Sequence, residues 1–293
     1  MRYGTAVILV LIATTLSSLN GIFVNSFVGD AELEGMTDWQ IVFWRHLLVG
    51  IAMFAGLALV YRRCFLATLR SHNWVGLFGA VAFGLSTLFV IMAQHRAPVA
   101  DVMFVLASVP FLTALLAWVA LREMIRTITW FAMAGAAAGI AVMVVGSLGS
   151  GNMTGILLGI AATLMIACFA VILRWGKAMD MIPMFALGCL IAAAVSLPFT
   201  IGDLWFDTRH LPLLLFWAVL ISPVYYSMFV ISSRHIPGGE LMLALPVETI
   251  EAAILAWLIL GQIPTQQTYI GGVIIMLSVG VLAFFRIRQE HAR

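Results

Sequence analysis

Apolar runs of about twenty residues recur ten times along the chain, and this repetition limits the fold more than any other feature. They cover roughly 3–26, 38–61, 74–94, 97–121, 128–148, 154–173, 182–202, 213–233, 238–260 and 267–285. Crossing the bilayer core takes about 20 apolar residues. In lipid, only helices and closed barrels satisfy their own backbone. The runs are continuously apolar and lack the period-2 alternation of barrel strands. The sequence therefore predicts an all-α integral membrane protein of ten transmembrane helices. At 293 residues the spans leave room for short loops but none for a second, water-soluble domain.

Composition agrees. The chain is 63% hydrophobic and 10% charged, against about 25% charged in a soluble domain. Its 15 Lys and Arg are scattered, which excludes a nucleic-acid partner. The first apolar run is too long for a signal h-region, so no cleaved leader is expected. Cys64, Cys168 and Cys189 form no CxxC or Cys/His spacing and read as free thiols. With the N-terminus cytoplasmic, twelve basic residues fall inside, among them Arg2, Arg62, Arg63, Arg70, Arg122, Arg174 and Lys177. Only Arg96 and Arg209 fall outside, and Arg45 lies within a span. That bias places both termini in the cytoplasm.

The chain also repeats itself. A shift of 139 brings Pro98 onto Pro237, Asp101 onto Glu240, Met103 onto Met242 and Leu106 onto Leu245. It further brings Ala114, Leu116, Ala117, Trp118 and Leu121 onto Ala253, Leu255, Ala256, Trp257 and Leu260. Each half, 1–148 and 154–286, holds five spans, with 287–293 as a cytoplasmic tail. An odd number of spans gives the halves opposite orientation. Inverted five-helix repeats around a central cavity are an architecture of secondary transporters. A duplicated scaffold without transport is the alternative.

Ionisable residues in the membrane interior are costly and mark candidate sites. Glu248 lies about 15 Å into the ninth span, near the middle of the bilayer. Glu251 lies one turn on and shares its face. Two such carboxylates cannot readily both be ionised, which suits proton coupling or a substrate amine. The other reading is an acid bonded to backbone freed by Pro246. Glu240 begins the same span. Arg45 and His46 lie in the outer part of span 2, and Asp101 lies at similar depth in span 4. Similar depth allows an Arg45–Asp101 ion pair that would serve as an extracellular latch; the other reading is an Arg45 that snorkels to the headgroups.

Polar stripes suggest a water-lined path. Thr14, Ser18, Gly21 and Asn25 recur at helical spacing, with Ser17 and Asn20 beside them. Ser222, Tyr226, Phe229 and Ser233 do the same in span 8, where Pro223 introduces a kink. Such hydroxyls also bond their own backbone. Trp39 reads as an interfacial aromatic. Trp44, Phe83 and Tyr226 are deeper and are expected at an apolar wall. The pairs Gly135/Gly139 and Gly155/Gly159 are expected to pack helices within the chain rather than a dimer. No HExxH, GxSxG, P-loop or Cys/His cluster occurs, so the sequence calls for no metal, cofactor or ATP. Lipid-modifying enzymes would need a His, Asp or Ser cluster at one interface, and none is visible. One Lys and few deep cations disfavour phosphorylated substrates.

The stretch Pro110-Phe111-Leu112-Thr113-Ala114-Leu115-Leu116-Ala117-Trp118 through Leu121-Arg122-Glu123, with Glu248-Thr249-Ile250, Ala256-Trp257 and Leu260-Gly261-Gln262, resembles the drug/metabolite transporter superfamily, in particular its bacterial EamA-type members. Asn20-Gly21-Ile22-Phe23-Val24 is similar to that family's small-Asn-aromatic pattern. Three departures stand out. Thr249 replaces the family proline, Arg122 the glycine before Glu123, and Gln262 the second terminal Glu. Within the superfamily, the aromatic content looks most like exporters of aromatic amino acids and of paraquat-like cations. The resemblance implies a monomer in the bacterial inner membrane, exporting small amphipathic metabolites, foremost aromatic and neutral amino acids, by alternating access. Organic cations, drugs and phosphorylated metabolites are the alternatives. It implies a cavity between spans 1–4 and 6–9, with spans 5 and 10 peripheral. Asn20, Trp44, Phe83, Tyr226 and Glu248 are then expected at substrate. Arg45, Asp101, Pro110, Pro246 and Glu251 are expected in coupling or gating.

Overall fold

The computed structural model describes residues 3–28, 35–61, 74–122, 124, 127–148, 151–175, 181–233 and 244–290. Among these residues there is helix and no strand. Each apolar run of the sequence carries helix. The first holds α1 (Tyr3–Ser18) and α2 (Asn20–Asn25). α3 (Asp38–Tyr61) and α4 (Trp74–Arg96) follow, then α5 (Val99–Leu106) and α6 (Val109–Leu121), and α7 (Thr127–Ser147). The second half begins with α8 (Met153–Trp175) and α9 (Met181–Thr200). Next come α10 (Leu211–Leu215), a π-helical stretch at Phe216–Ile221 and α11 (Ser222–Ser233). α12 (Ala244–Leu260) and α13 (Gln266–Glu290) complete it. Eight segments are long and apolar enough to cross a membrane, and the apolar part of α13 is a shorter ninth.

The outward surface is apolar. Phe78, Phe131, Val145, Phe199, Ile254, Trp257, Leu258 and Leu277 are exposed. In water, a surface of this kind marks an interaction site or an aggregation hazard; against lipid tails it needs no cover. Trp118 and Trp257, paired by the 139-residue shift, both face outward, and Trp118 meets Trp130 edge-on at 5.7 Å. They line the lipid boundary rather than an inner wall.

Packing follows the sequence repeat. α4 packs along α8, and α1 packs along α11. α6 packs on α8 as α12 packs on α1. α3 pairs with α9, α5 with α12, and α7 with α13. Exchanging the halves (α1 for α8, α3 for α9, α4 for α11, α5–α6 for α12, α7 for α13) returns each of these pairs to one already present. At α7–α13 the backbones nearly touch. A Cβ built on Gly139 would lie 2.7 Å from the Gly271 carbonyl oxygen, and one on Gly271 would lie 2.6 Å from that of Gly139. Gly135 faces the Ser278 side chain, and Gly155 faces Ala97. These glycines serve contacts within the chain, as the spacing predicts.

The symmetry extends to the helix ends. Arg122 caps α6 in the left-handed region at φ 55°, and Gly261, its partner 139 residues on, closes α12 at φ 66°. Glycine adopts that conformation freely; an L side chain pays about 1–2 kcal/mol.

Three runs are interrupted partway. The first breaks at Leu19, between α1 and α2. The fourth breaks at Ala107–Ser108, where Pro110 lacks an N–H and the bonds shorten to Ser108 N–H on Val105 O and Phe111 N–H on Ser108 O. The eighth widens into π-helix just before Pro223. A proline ring clashes with the carbonyl four residues back, and a wider turn relieves it. π-turns of this kind often lie at functional sites.

Candidate functional site

Arg45 sits eight residues into α3, about 10 Å along it at 1.5 Å per residue. Its side chain is 2% exposed. It therefore does not snorkel to the headgroups. Nη2 donates to Ser222 Oγ (3.3 Å), Asn20 Oδ1 (3.4 Å) and Tyr225 OH (3.4 Å). Nη1 lies 3.2 Å from His46 Nε2. The guanidinium carbon stands 4.5 Å from the Trp217 ring centroid, a cation–π geometry. Nε has no partner. Among the described residues, no carboxylate comes within ion-pair distance of Arg45.

His46, fully buried, is held in one tautomer. Its Nδ1 lies 2.8 Å from the Val42 carbonyl, which can only accept, so Nδ1 carries the proton. Nε2 is left to accept from Arg45 or from Thr87 Oγ1 at 2.9 Å. Arg45 thus has a neutral neighbour on that side too.

Asn20 joins the arginine to an acid. It opens α2 just past the Leu19 break, and its Oδ1 accepts from Trp217 Nε1 at 2.8 Å. Its Nδ2 donates to Ser17 O (2.7 Å) and approaches Ser17 Oγ (3.4 Å) and Tyr225 OH (3.5 Å). Ser17 Oγ in turn donates to Glu248 Oε1 at 2.6 Å. A line of polar side chains therefore runs from Arg45 on α3, through α1–α2, to Glu248 on α12. Glu251 faces the same helix: Thr15 Oγ1 donates to its Oε1 at 3.2 Å, and its buried Oε2 is unpartnered. Glu248 and Glu251 share a face, as their spacing predicts, and that face meets α1.

Beside the arginine stands an aromatic wall. Phe83 meets Phe185 at 4.4 Å, Phe169 at 5.4 Å and Tyr226 at 5.5 Å. Tyr226 meets Tyr225 at 4.3 Å and Phe185 at 5.3 Å, both with tilted rings. Phe83 and Tyr226 are thus brought together. The Tyr225 hydroxyl reaches both Arg45 and Asn20 in the polar line, and the Tyr226 hydroxyl, singled out by the stripe, is a hydrogen-bond partner of Arg45 as well.

Other expectations are corrected. Arg45 and Asp101 do not pair. Asp101 on α5 accepts a 2.5 Å bond from Thr268 Oγ1 on α13. The two residues share a depth but face different helices. The ion pair near that end joins Arg96 to Asp38. Thr14 and Ser18 are buried on Leu11 O and Thr15 O, and Gly21 packs on Val99. The expected polar path of span 1 is therefore a packing face, and the residues beside it, Ser17 and Asn20, carry the network. Trp44 is half-buried and meets Phe43 edge-on at 5.2 Å. Its indole N–H donates to Leu204 O at 3.0 Å, with Phe206 edge-on at 5.6 Å. Trp39, also half-buried, stacks on Phe199 at 4.3 Å.

Side-chain bonds tie the helices together at this end. Gln40 Nε2 donates to Asp203 O (2.8 Å) and Trp205 O (3.0 Å). Gln262 Nε2 donates to Asn25 Oδ1, and its Oε1 accepts from the Val99 N–H, both at 3.0 Å. Asn25 Nδ2 reaches Gln94 O at 3.2 Å. Pro110 is buried at the second position of α6. Pro246 lies in the first described turn of α12; the carbonyl it would free, on Met242, lies outside the described residues, as do Glu240, Pro237, Glu123, Lys177 and Cys64. Thr249, standing where a proline was expected, bonds Leu245 O at 2.9 Å. Cys168 and Cys189 are free thiols.

Two profile matches account for nearly the whole chain: the EamA-like transporter family fits residues 4–145 and again 153–284. The chain belongs to the EamA-like transporter family. This multi-pass membrane protein is thus a transporter of drug/metabolite type, built from two copies of the EamA unit. Comparison with curated proteins finds no match. Sixteen chains of solved structures match. One, titled "Crystal structure of protein", superposes at a TM-score of 0.65 over 96% of this chain and 97% of its own, at 18% identity. That likeness concerns the fold alone. In this EamA protein the site draws on both units, with Ser17, Asn20 and Arg45 from the first and Trp217, Ser222, Tyr225 and Glu248 from the second. Trp217 was not legible beforehand. The π-stretch brings Ser222 Oγ onto Trp217 O, five residues back, at 2.9 Å. Pro223 was the one signal that the helical register shifts there.

Proposed function

We propose that this EamA protein is a ten-span secondary transporter that exports small amphipathic metabolites, foremost aromatic and neutral amino acids. The observation that carries the reading is the buried polar line from Arg45 to Glu248. It is assembled by both units beside helices broken at Leu19 and at Phe216–Ile221. Discontinuous helices at a repeat interface are where transporters hold substrate. The wall of Phe83, Phe169, Phe185 and Tyr226 suits an apolar side chain, while Asn20, Tyr225 and Glu248 suit its polar groups. The side-chain bonds that tie one end together at Gln262, Asn25 and Trp44 support alternating access, with the inverted halves 1–148 and 154–286 rocking about the site. Pro110 and Pro246 supply the bends. Glu248 and Glu251 are the proton carriers. The protein works as a monomer in the bacterial inner membrane, with both termini cytoplasmic.

Uptake of a labelled amino-acid panel into proteoliposomes, with and without an imposed pH gradient, tests this reading. Saturable uptake of aromatic or neutral amino acids, driven beyond equilibrium by the gradient, is the expected result. No uptake of any amino acid would overturn the substrate assignment.

A further inference from the structure

We propose that Arg45 is the anchor for a substrate carboxylate, so that the site selects zwitterions over amines, amides and quaternary cations. The inference rests on the transport reading above and assigns Arg45 a binding role in place of an outer latch. Its first support is an unbalanced charge. Arg45 is 2% exposed, yet its side-chain partners Ser222, Asn20, Tyr225, Tyr226 and His46 are all neutral. Isolated buried charges are expensive, and proteins pair them or bind a counter-ion. Trp217 beneath the guanidinium offsets part of that cost through its ring face.

The second support is spare donor capacity. A guanidinium offers five N–H donors in a planar fork matched to carboxylate. Here three bonds crowd onto one nitrogen, Nη2, at 3.3–3.4 Å, and buried Nε has no hydrogen-bond acceptor. Long shared bonds of this kind exchange readily for the shorter charge-assisted ones a carboxylate accepts. The Tyr225 hydroxyl, 3.4 Å from Nη2, adds a further donor to an incoming oxygen.

The third support is polarity along the line. Beyond Asn20 and Ser17 lies Glu248, an acid whose Oε1 takes a single bond from Ser17. A zwitterion laid along this line brings its carboxylate to Arg45 and its ammonium to Glu248. The phenyl or alkyl group then falls toward Phe83 and Tyr226. A simple organic cation satisfies Glu248 but adds a second positive charge beside an unpaired Arg45.

Competition in proteoliposome counterflow tests this. Vesicles loaded with the transported amino acid exchange labelled substrate in the presence of four competitors: the same amino acid, its amide, its decarboxylated amine and its deaminated acid. Wild type should be inhibited by the amino acid at the lowest concentration. The amide and amine should need about thirtyfold more, the value of one lost charge-assisted bond. Arg45→Gln should compress that difference, and Arg45→Lys should restore part of it. Equal competition by amide, amine and amino acid in wild type would overturn the assignment of Arg45 while leaving transport intact. Absence of exchange altogether would overturn the transport reading and this inference with it. The wild-type series needs no variant, so it decides even if Arg45→Gln fails to fold.

Discussion

The α7–α13 pair and the centre formed by α1, α3, α11 and α12 solve the same packing problem with different materials. α7 and α13 are unbroken helices of 21 and 25 residues, closed against each other by Gly139 and Gly271 and by Ala132, Ala136, Met143, Ile275 and Val279. Small residues let the backbones meet, and backbone contact leaves one geometry. The centre meets through side chains. Its helices break or widen at Leu19 and Phe216–Ile221, and its contacts are shared hydrogen bonds at 2.6–3.5 Å. Side-chain bonds can be exchanged for others of similar energy; backbone van der Waals contacts cannot. The first region is a frame, and the second is where two arrangements can coexist.

The largest expected effect tests the frame. Gly139→Leu puts a branched side chain against the Gly271 carbonyl and should cost about 3 kcal/mol, the upper end of overpacking. Thermal unfolding of the detergent-solubilised protein should show the fall; an unchanged midpoint would mean that α7 and α13 are not locked. At the centre the expected signs separate stability from function. Glu248→Gln removes a charge-assisted bond worth about 2 kcal/mol, or about thirtyfold in substrate affinity. The unfolding midpoint should stay where it is. A midpoint that falls with affinity untouched would make Glu248 part of the frame. Trp217→Phe keeps a ring under Arg45 but deletes the N–H that holds Asn20. A loss of about 1 kcal/mol, or about fivefold in affinity, is expected from binding curves. The smallest effect is a gain. Arg122→Gly at φ 55° should raise stability by about 1 kcal/mol, because the left-handed strain disappears. A loss there would mean that the arginine side chain repays its backbone.

These regions were not equally legible in the sequence. The frame was, because it depends on one-dimensional features. Continuous apolar runs gave the helices, the 139-residue shift gave the pairing of halves, and Gly135/Gly139 gave a contact face. The face shared by Glu248 and Glu251 was legible for the same reason: three residues are one turn. Arg45 and Asp101 were mispaired because depth along a span is a single coordinate. Azimuth decides contact, and Asp101 turns toward Thr268. The polar face of span 1 was misread by one residue, since Thr14 and Ser18 follow the helical period yet spend their hydroxyls on the backbone. Trp217 and Tyr225 depend on a register shift that begins in the π-stretch, so no fixed period could place them.

The most direct test of the central claim is a structure of the protein with the amino acid that saturates uptake. The account predicts density bounded by Arg45, Asn20, Tyr225 and Glu248, with the side chain toward Phe83 and Tyr226. Density at the lipid-facing surface or along α7–α13, with the Arg45–Asn20–Ser17–Glu248 line undisturbed, would contradict it.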